Sequence, residues 1–313
     1  MNQGPQTRRR HETPAPLVRP SPMTQDPRTS APTSFPNEPH QPRPGLEADM
    51  RTKPDHGEES YVGKGLLTGL ATLITGGDSG IGRAVAIAYA REGADVAISY
   101  LPDEQADADE TRRWVEDAGR RCLLLPGDIR DPAWCQALVG KTVEAFGRLD
   151  VLVNNAAAQT TNESLADIAV ADVEGAFRAN VFAPIWLAQA AVGHMKPGAT
   201  IINTTSVQAK VASKGMIVYS ATKGAVASLT IGLSNLLAPS GIRVNCVAPG
   251  PVWTPIQPIA KSPEEMEVLG QKTPLGRAGQ PAELAGAFVL LAAREGSYMS
   301  GALIPVTGGM PML

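Results

Sequence analysis

Tyr219 and Lys223 stand four residues apart in a stretch with helical apolar spacing, so they share one face and can act on the same atom. A phenol with a pKa of about 10 is a poor base at neutral pH. A lysine cation beside it favours the phenolate and brings proton exchange within reach. Such a tyrosine can give a proton to a carbonyl oxygen or take one from an alcohol. Ser206, upstream, carries a hydroxyl able to donate a hydrogen bond to the same oxygen. Taken singly these residues are ordinary. Tyr-x-x-x-Lys also fits a tyrosine packed with its hydroxyl outward, Ser206 a turn former, and Asn180 a polar bond within a helix.

A second string of chemical interest is Thr75-Gly76-Gly77-Asp78-Ser79-Gly80-Ile81-Gly82. Gly76, Gly80 and Gly82 permit a tight turn and let backbone N–H groups approach a pyrophosphate. If a helix begins here, its positive end faces the phosphates. A glycine string alone can be only a turn. Its weight comes from lying between a strand and a helix.

The flanking elements supply that setting. Residues 70–75 form a short apolar run, read as a buried strand, and Ile81 to Arg91 reads as a helix. Strands follow at Asp95 to Ser99, Arg121 to Leu125, Leu149 to Val153, Thr200 to Thr204, Arg243 to Val247 and Ala302 to Pro305. Helices are expected at Asp103 to Ala118, Pro132 to Phe146, Met216 to Leu237 and after Pro281. This alternation predicts an α/β fold: a single doubly wound Rossmann-type domain, with a parallel sheet of about seven strands and helices on both faces. Residues 61–313 are assigned to it.

Several residues together resemble the short-chain dehydrogenase/reductase family. The glycine spacing is T-G-x3-G-x-G. Asn154-Asn155-Ala156-Ala157 ends the fourth strand where that family reads N-N-A-G, with Ala157 departing from the pattern. Asn180, Ser206, Tyr219 and Lys223 match its Asn-Ser-Tyr-Lys tetrad in order and spacing, and residues 249–254 match its Pro-Gly segment. More narrowly, residues 53–58, 75–79 and 250–255 are similar to bacterial glucose/ribitol-dehydrogenase-like and general-stress oxidoreductases.

The resemblance implies an NAD(P)-dependent oxidoreductase passing hydride between nicotinamide and a small carbonyl or alcohol substrate. It gives Tyr219 the acid/base role, Lys223 an added contact to the nicotinamide ribose, and Asn180 a proton-relaying water. The coenzyme residues it implies are Gly76, Asp78, Ser79, Gly80, Ile81, Gly82, Ser99, Asp128, Ile129, Asn155, Ala156, Pro249, Gly250, Val252 and Thr254, with Tyr219 and Lys223. Asp128 and the Ile129 backbone would meet adenine, and Thr254 the carboxamide. Residues 253–272 would form a mobile lid over the substrate, with Gln159 and Gln208 flanking the pocket. The second strand ends without an acid, and Ser99 can bond a 2′-phosphate, which inclines the expectation to NADP over NAD. Against it, Ser79 stands where many NADP users of the family carry a basic residue. A same-fold dehydratase or epimerase, and a non-catalytic NAD(P)-binding protein, remain alternative readings.

Composition narrows the field. The 313 residues carry a formal net charge of −3 and 43% hydrophobic residues, an ordinary globular balance with no call for nucleic acid. No apolar run is long enough to span a membrane, and no apolar signal segment follows Arg8–Arg10. Cys122, Cys135 and Cys246 match no metal or redox motif, so reduced thiols and a cytoplasmic location are expected. Only His194 of the 4 histidines lies beyond residue 60, which leaves no material for a histidine-rich metal site, and none is assigned. His194 reads as a cation at a helix end. No cluster of Arg or Lys in sequence marks an anionic substrate, so neutral aldehydes, ketones, polyols or sugars are expected.

Residues 1–60 differ from the rest: proline-rich, without apolar periodicity, and expected to form an extended or disordered tail that adds no core. The stretch 36–54 could drape over the domain or over a neighbouring subunit. A homotetramer through helix faces and the apolar C-terminal strand is expected, with a small-molecule substrate as the other partner.

Overall fold

The structure is a computed structural model and describes residues 25–312; the Arg8–Arg10 triplet and Leu313 lie outside the described residues. Seven strands make one parallel sheet: β1 (Ala71–Thr75), β2 (Asp95–Tyr100), β3 (Cys122–Pro126), β4 (Val151–Asn154), β5 (Thr200–Thr204), β6 (Arg243–Pro249) and β7 (Leu303–Val306). Their order is β3-β2-β1-β4-β5-β6-β7. The order reverses between β1 and β4, which pair directly. At such a reversal the loops leaving the two strands part in opposite directions and open a crevice.

The helices are α1 (Gly80–Arg91), α2 (Gln105–Asp117), α3 (Pro132–Phe146), α4 (Val170–Phe177), α5 (Ala183–Val192), α6 (Ile217–Leu237), α7 (Ile256–Ala260), α8 (Pro263–Glu267) and α9 (Pro281–Ala292). The strands send alternate side chains to opposite faces. Ile74, Val96, Ile98 and Val153 join a core with α1, α2 and α9. Leu73, Ala97, Leu152 and Ile201 join a second core with α3 and α5. Both faces are covered, which is why these strands read as continuous apolar runs. Expected and observed boundaries agree to within two residues for every strand and for the helices assigned from sequence, except where a 3₁₀ turn, Pro102–Glu104, precedes α2. Among the described residues no helix is long and apolar enough to cross a membrane.

The expectation that residues up to 60 add no core is corrected. Their prolines do exclude strand and α-helix, and 3₁₀ turn Glu47–Asp49 is the one named element from residue 25 to 60. Yet Phe35 and Met50 are buried in a third cluster with Trp253, Met266, Leu269 and Ala278. Phe35 stacks on Trp253 with ring centroids 3.6 Å apart and planes 6° from parallel. An extended chain leaves its backbone groups unpaired, so it must find partners elsewhere. Trp253 Nε1 donates to the Thr52 carbonyl at 2.8 Å, Gln41 N to the Pro258 carbonyl at 3.1 Å, and Arg277 Nε to the Pro27 carbonyl at 2.6 Å. The segment is a strap across the 250–280 loops. Of the segment expected to form a lid, Trp253, Met266 and Leu269 are buried against the strap.

Candidate active site

The C-terminal ends of β1, β4, β5 and β6 surround a cavity of about 1080 Å³. Every residue assigned from the sequence to catalysis or coenzyme binding lines it except Gly82 and Asn180. Gln159 and Gln208 line it too, as expected.

The glycine loop follows from close packing. A Cβ on Gly82 would lie 1.8 Å from the Gly76 carbonyl oxygen, so only glycine lets α1 start against the loop. Gly80 sits at φ +50, in the left-handed region, and a Cβ there would meet Thr254 Cγ2 at 3.0 Å. Asn155 binds this loop to the one leaving β4. Its side-chain nitrogen donates to the carbonyls of Thr75 (3.2 Å) and Gly76 (3.1 Å). Thr75 Oγ1 accepts from the backbone N–H of both Asn155 and Ala156. At the end of β2 the Ser99 hydroxyl is buried and has no hydrogen-bond partner. A side-chain-free cradle at a helix N-terminus, next to an unused buried hydroxyl, fits a group carrying a pyrophosphate and a ribose.

The charge around that end differs from the sequence reading. No acid closes β2, but Asp78, Asp103 and Glu104 all line the cavity beside Ser99. Burial first, and then repulsion from Asp107 on both and from Asp78 on Glu104, pushes the carboxyls of Asp78 and Glu104 well above the usual range. The lack of an acid at the end of β2 thus does not leave that end free of carboxyls, and in their charged forms these would repel a 2′-phosphate.

Ser206, at the end of β5, and Tyr219 and Lys223, on successive turns of α6, face the other half of the cavity. All three are buried. Burial pushes the Tyr219 phenol up to about 12, opposed by the Ser206 hydroxyl. Burial brings the Lys223 ammonium down to about 8. Lys223 Nζ lies 5.5 Å from the Tyr219 ring centre and gives its hydrogen bond to the Thr204 carbonyl rather than to the phenol. In the chain alone burial dominates the phenol; the lowered pKa expected from the sequence rests also on the positive charge of an oxidised nicotinamide.

Asn180 lies on a π turn, Arg178–Phe182, that joins α4 to α5. Its side chain makes a two-way pair with Ala158, accepting from the backbone N–H at 2.7 Å and donating to the carbonyl at 2.8 Å, and also donates to Thr222 Oγ1 at 3.0 Å. It joins the β4 loop to α6 behind the cavity wall. Asp128 lines the opposite end, paired with Arg130 at 2.6 Å. His194 is exposed just past α5, outside the cavity lining.

Sequence reasoning missed residues of two kinds. Arg43, Pro44 and Gly45 of the strap line the cavity, and Arg43 donates to the Gln159 carbonyl at 3.1 Å. Lys214, Lys261 and Lys272 border it as well. These four cations are scattered through the chain, so the argument from the lack of a basic cluster in sequence fails. The other kind is Glu47, whose carboxylate accepts from Gly80 N at 3.0 Å. Its sole trace in the sequence is the neighbouring 53–58 motif.

Comparison with known proteins agrees with this geometry. Residues 76–311 match the family model described as enoyl-(acyl carrier protein) reductase. The chain is 50% identical over 271 residues to the uncharacterized oxidoreductase YhdF of Bacillus subtilis (strain 168), covering 86% of this chain and 93% of that protein. It is 41% identical over 273 residues to the chloroplastic NADPH-dependent aldehyde reductase 1 of Arabidopsis thaliana, covering 85% and 95%. Among solved structures, a short chain dehydrogenase from Burkholderia cenocepacia J2315 in complex with NADP superposes with a TM-score of 0.74 at 34% identity, covering 78% of this chain and 99% of that one.

Proposed function

Because the chain belongs to the short-chain dehydrogenase/reductase family, we propose that it is an NAD(P)-dependent oxidoreductase that interconverts a small aldehyde or ketone and its alcohol, with Tyr219 as the acid/base. The observation that carries this reading is the meeting of Tyr219 and Ser206 in the cavity whose far end is the glycine cradle. The NADP in the Burkholderia structure and the name of the Arabidopsis reductase support NADPH and an aldehyde.

Gly76, Ser79, Gly80 and Ile81 would hold the pyrophosphate, with Gly82 clearing room behind them. Ser99, Asp78, Asp128 and Ile129 would hold the adenosine end. Asn155, Ala156, Pro249, Gly250, Val252 and Thr254 would wall the nicotinamide end, beside Tyr219 and Lys223. When bound, the nicotinamide supplies or accepts the hydride.

In reduction, Tyr219 gives its hydroxyl proton to the substrate oxygen, and a phenol held protonated by burial is ready to do so. Ser206 donates a hydrogen bond to the same oxygen and fixes its distance from the phenol. Lys223 bears on the phenol as a charge rather than as a hydrogen-bond partner. Asn180 keeps the β4 loop and α6 in register, and we extend to it the positioning of a proton-relaying water. In oxidation, Tyr219 must first lose its proton, so a neighbouring positive charge matters most in that direction.

The test is a panel of neutral and carboxylate-bearing aldehydes, ketones and sugars with NADPH and NADH, followed by nicotinamide absorbance. Turnover on at least one carbonyl, lost in Tyr219→Phe, is expected. Coenzyme binding without turnover across the panel would overturn the carbonyl reading.

A further inference from the structure

We propose that Glu47, supplied by the N-terminal strap, is a positioning residue of the coenzyme site that holds the glycine loop in its binding shape. The inference rests on the coenzyme half of the reading above and not on any substrate.

Ser79, the N-cap of α1, makes no side-chain capping bond. The N–H groups at a helix start need acceptors, and anions are favoured there by the helix dipole. Glu47 fills that place from outside the domain's sheet, its Oε2 accepting from Gly80 N at 3.0 Å. Its other oxygen pairs closely with Arg83, one turn along α1. Arg83 in turn donates through Nε to the Asp78 carbonyl at 2.9 Å. Thr111 Oγ1 donates to the same carbonyl at 2.8 Å. Asp78 and Gly80 bracket Ser79, and all three line the cavity. Glu47 does not line it, so it acts on a bound group only through the loop.

Glu47 is itself fixed on every side. Asp107 Oδ2 accepts from Glu47 N at 2.7 Å, and Asp107 Oδ1 from Ala48 N at 3.1 Å. His56, 1% exposed, places Nε2 2.9 Å from Glu47 Oε2 and Nδ1 2.8 Å from Glu58 Oε1. A ring whose two nitrogens both face carboxylates donates through both, as the imidazolium. A buried carboxylate with a guanidinium, an imidazolium and a backbone N–H as partners is satisfied and rigid. Loss of that anchor frees the loop to leave the one shape in which its backbone N–H groups converge on a phosphate. Misplacement of that kind weakens binding steeply while leaving the fold in place.

The alternative is that the network only staples the strap down. Two readouts separate the cases. Fluorescence titration with NADPH is expected to give a dissociation constant raised roughly tenfold in Glu47→Ala, with part of the affinity recovered in Glu47→Gln, which can still accept from Gly80 N. Tyr61→Phe serves as the control, since its hydroxyl bonds Glu92 at the far end of α1. That variant is expected to lower the melting temperature and leave the NADPH constant unchanged. If Glu47→Ala melts cooperatively at a lower temperature and binds NADPH as the native protein does, the proposal is wrong. The native protein gives a test that needs no variant. Coupling is reciprocal, so saturating NADPH must slow hydrogen exchange at the amides of residues 47–50. Unchanged exchange there would also overturn the proposal. A native protein that bound neither NADPH nor NADH would instead sink the function proposed above.

Discussion

Lys223 directs its hydrogen bond away from Tyr219: Nζ donates to the Thr204 carbonyl at 2.8 Å and stays 5.5 Å from the phenol ring centre. The lysine is thereby held to the end of β5, the strand that also leads to Ser206. Its influence on the phenol is electrostatic and short of contact, so the two residues should fail differently when replaced.

Tyr219→Phe keeps the ring and removes the exchangeable proton. We expect kcat to fall by about 10² to 10⁴, the usual range for a lost general acid. NADPH affinity should be unchanged. Ser206→Ala should lower kcat with little change in coenzyme affinity, whereas Lys223→Met should weaken both. Steady-state kinetics beside fluorescence titration checks all three. Near-native turnover by Tyr219→Phe on a confirmed substrate would assign the proton to another group.

Lys223 also leaves a signature in stability. Burial holds its folded pKa down at about 8, below the ordinary lysine value of 10.5. Between those values the unfolded chain binds the extra proton and the folded chain does not, so this group's contribution to stability rises with pH across that window. At pH 7 the buried ammonium therefore costs stability, on the order of 3 kcal/mol. The stability of the native protein relative to Lys223→Met should climb from pH 8 to 10.5 in urea melts. A flat difference would show that the ammonium is solvated.

Asp78 and Glu104 bear on the choice of coenzyme. Both carboxyls titrate above the usual range, so they are neutral at acid pH and become charged as pH rises. The charged forms repel a 2′-phosphate and not a 2′-hydroxyl. Preference for NADPH over NADH, measured as the ratio of kcat/KM values, should therefore shrink with rising pH. Glu104→Gln should raise that ratio. An unaltered ratio in the variant would place the 2′ position away from Glu104.

The strap carries stability as well as position. Phe35→Ala empties a stacked, fully buried site, and such losses cost about 3–5 kcal/mol. Removal of residues 1–60 strips the cover from Trp253, Met266 and Leu269 together, and takes Glu47 with it. We expect the truncated protein to lose NADPH binding and to aggregate on heating. Scanning calorimetry that found the truncation as stable as the full chain would refute this.

Assembly is open to the same kind of test. Val170 at the start of α4, Phe182 on the π turn, and Ile231 and Leu236 on α6 are exposed large apolar residues. Together with the half-buried edge strand β7 they suit burial between copies of the chain. Light scattering should report four copies, and Ile231→Glu should reduce that number. A monomer at micromolar concentration would contradict the expectation.

What the sequence made legible was local. Tyr219 and Lys223 are one helical turn apart, and the glycine string lies between a strand and a helix, so short spacing carries both signals. The π turn at Asn180 was not legible, because one extra residue in a helical stretch leaves the apolar pattern of α4 and α5 nearly intact. Glu47 was hidden for a different reason. Its partners Gly80 and Arg83 are 33 and 36 residues away, and Glu47 itself follows a proline-rich stretch with no apolar periodicity. Asp103 and Glu104 were present in the sequence as helix-starting residues, and only the turn Pro102–Glu104 brings them to the cavity.

The strap's partners are remote along the chain. Trp253 bonds Thr52 across 201 residues, Gln271 bonds Thr33 across 238, and Arg277 bonds Pro27 across 250. Contacts of such separation form late, because the intervening loop must close first. During synthesis at roughly 5–20 residues per second, residues 27–52 leave the ribosome at least ~10 s before the loops they dock against exist. The glycine loop and its helix are complete long before those docking loops, and the chain closes over its own beginning only when its end has been made.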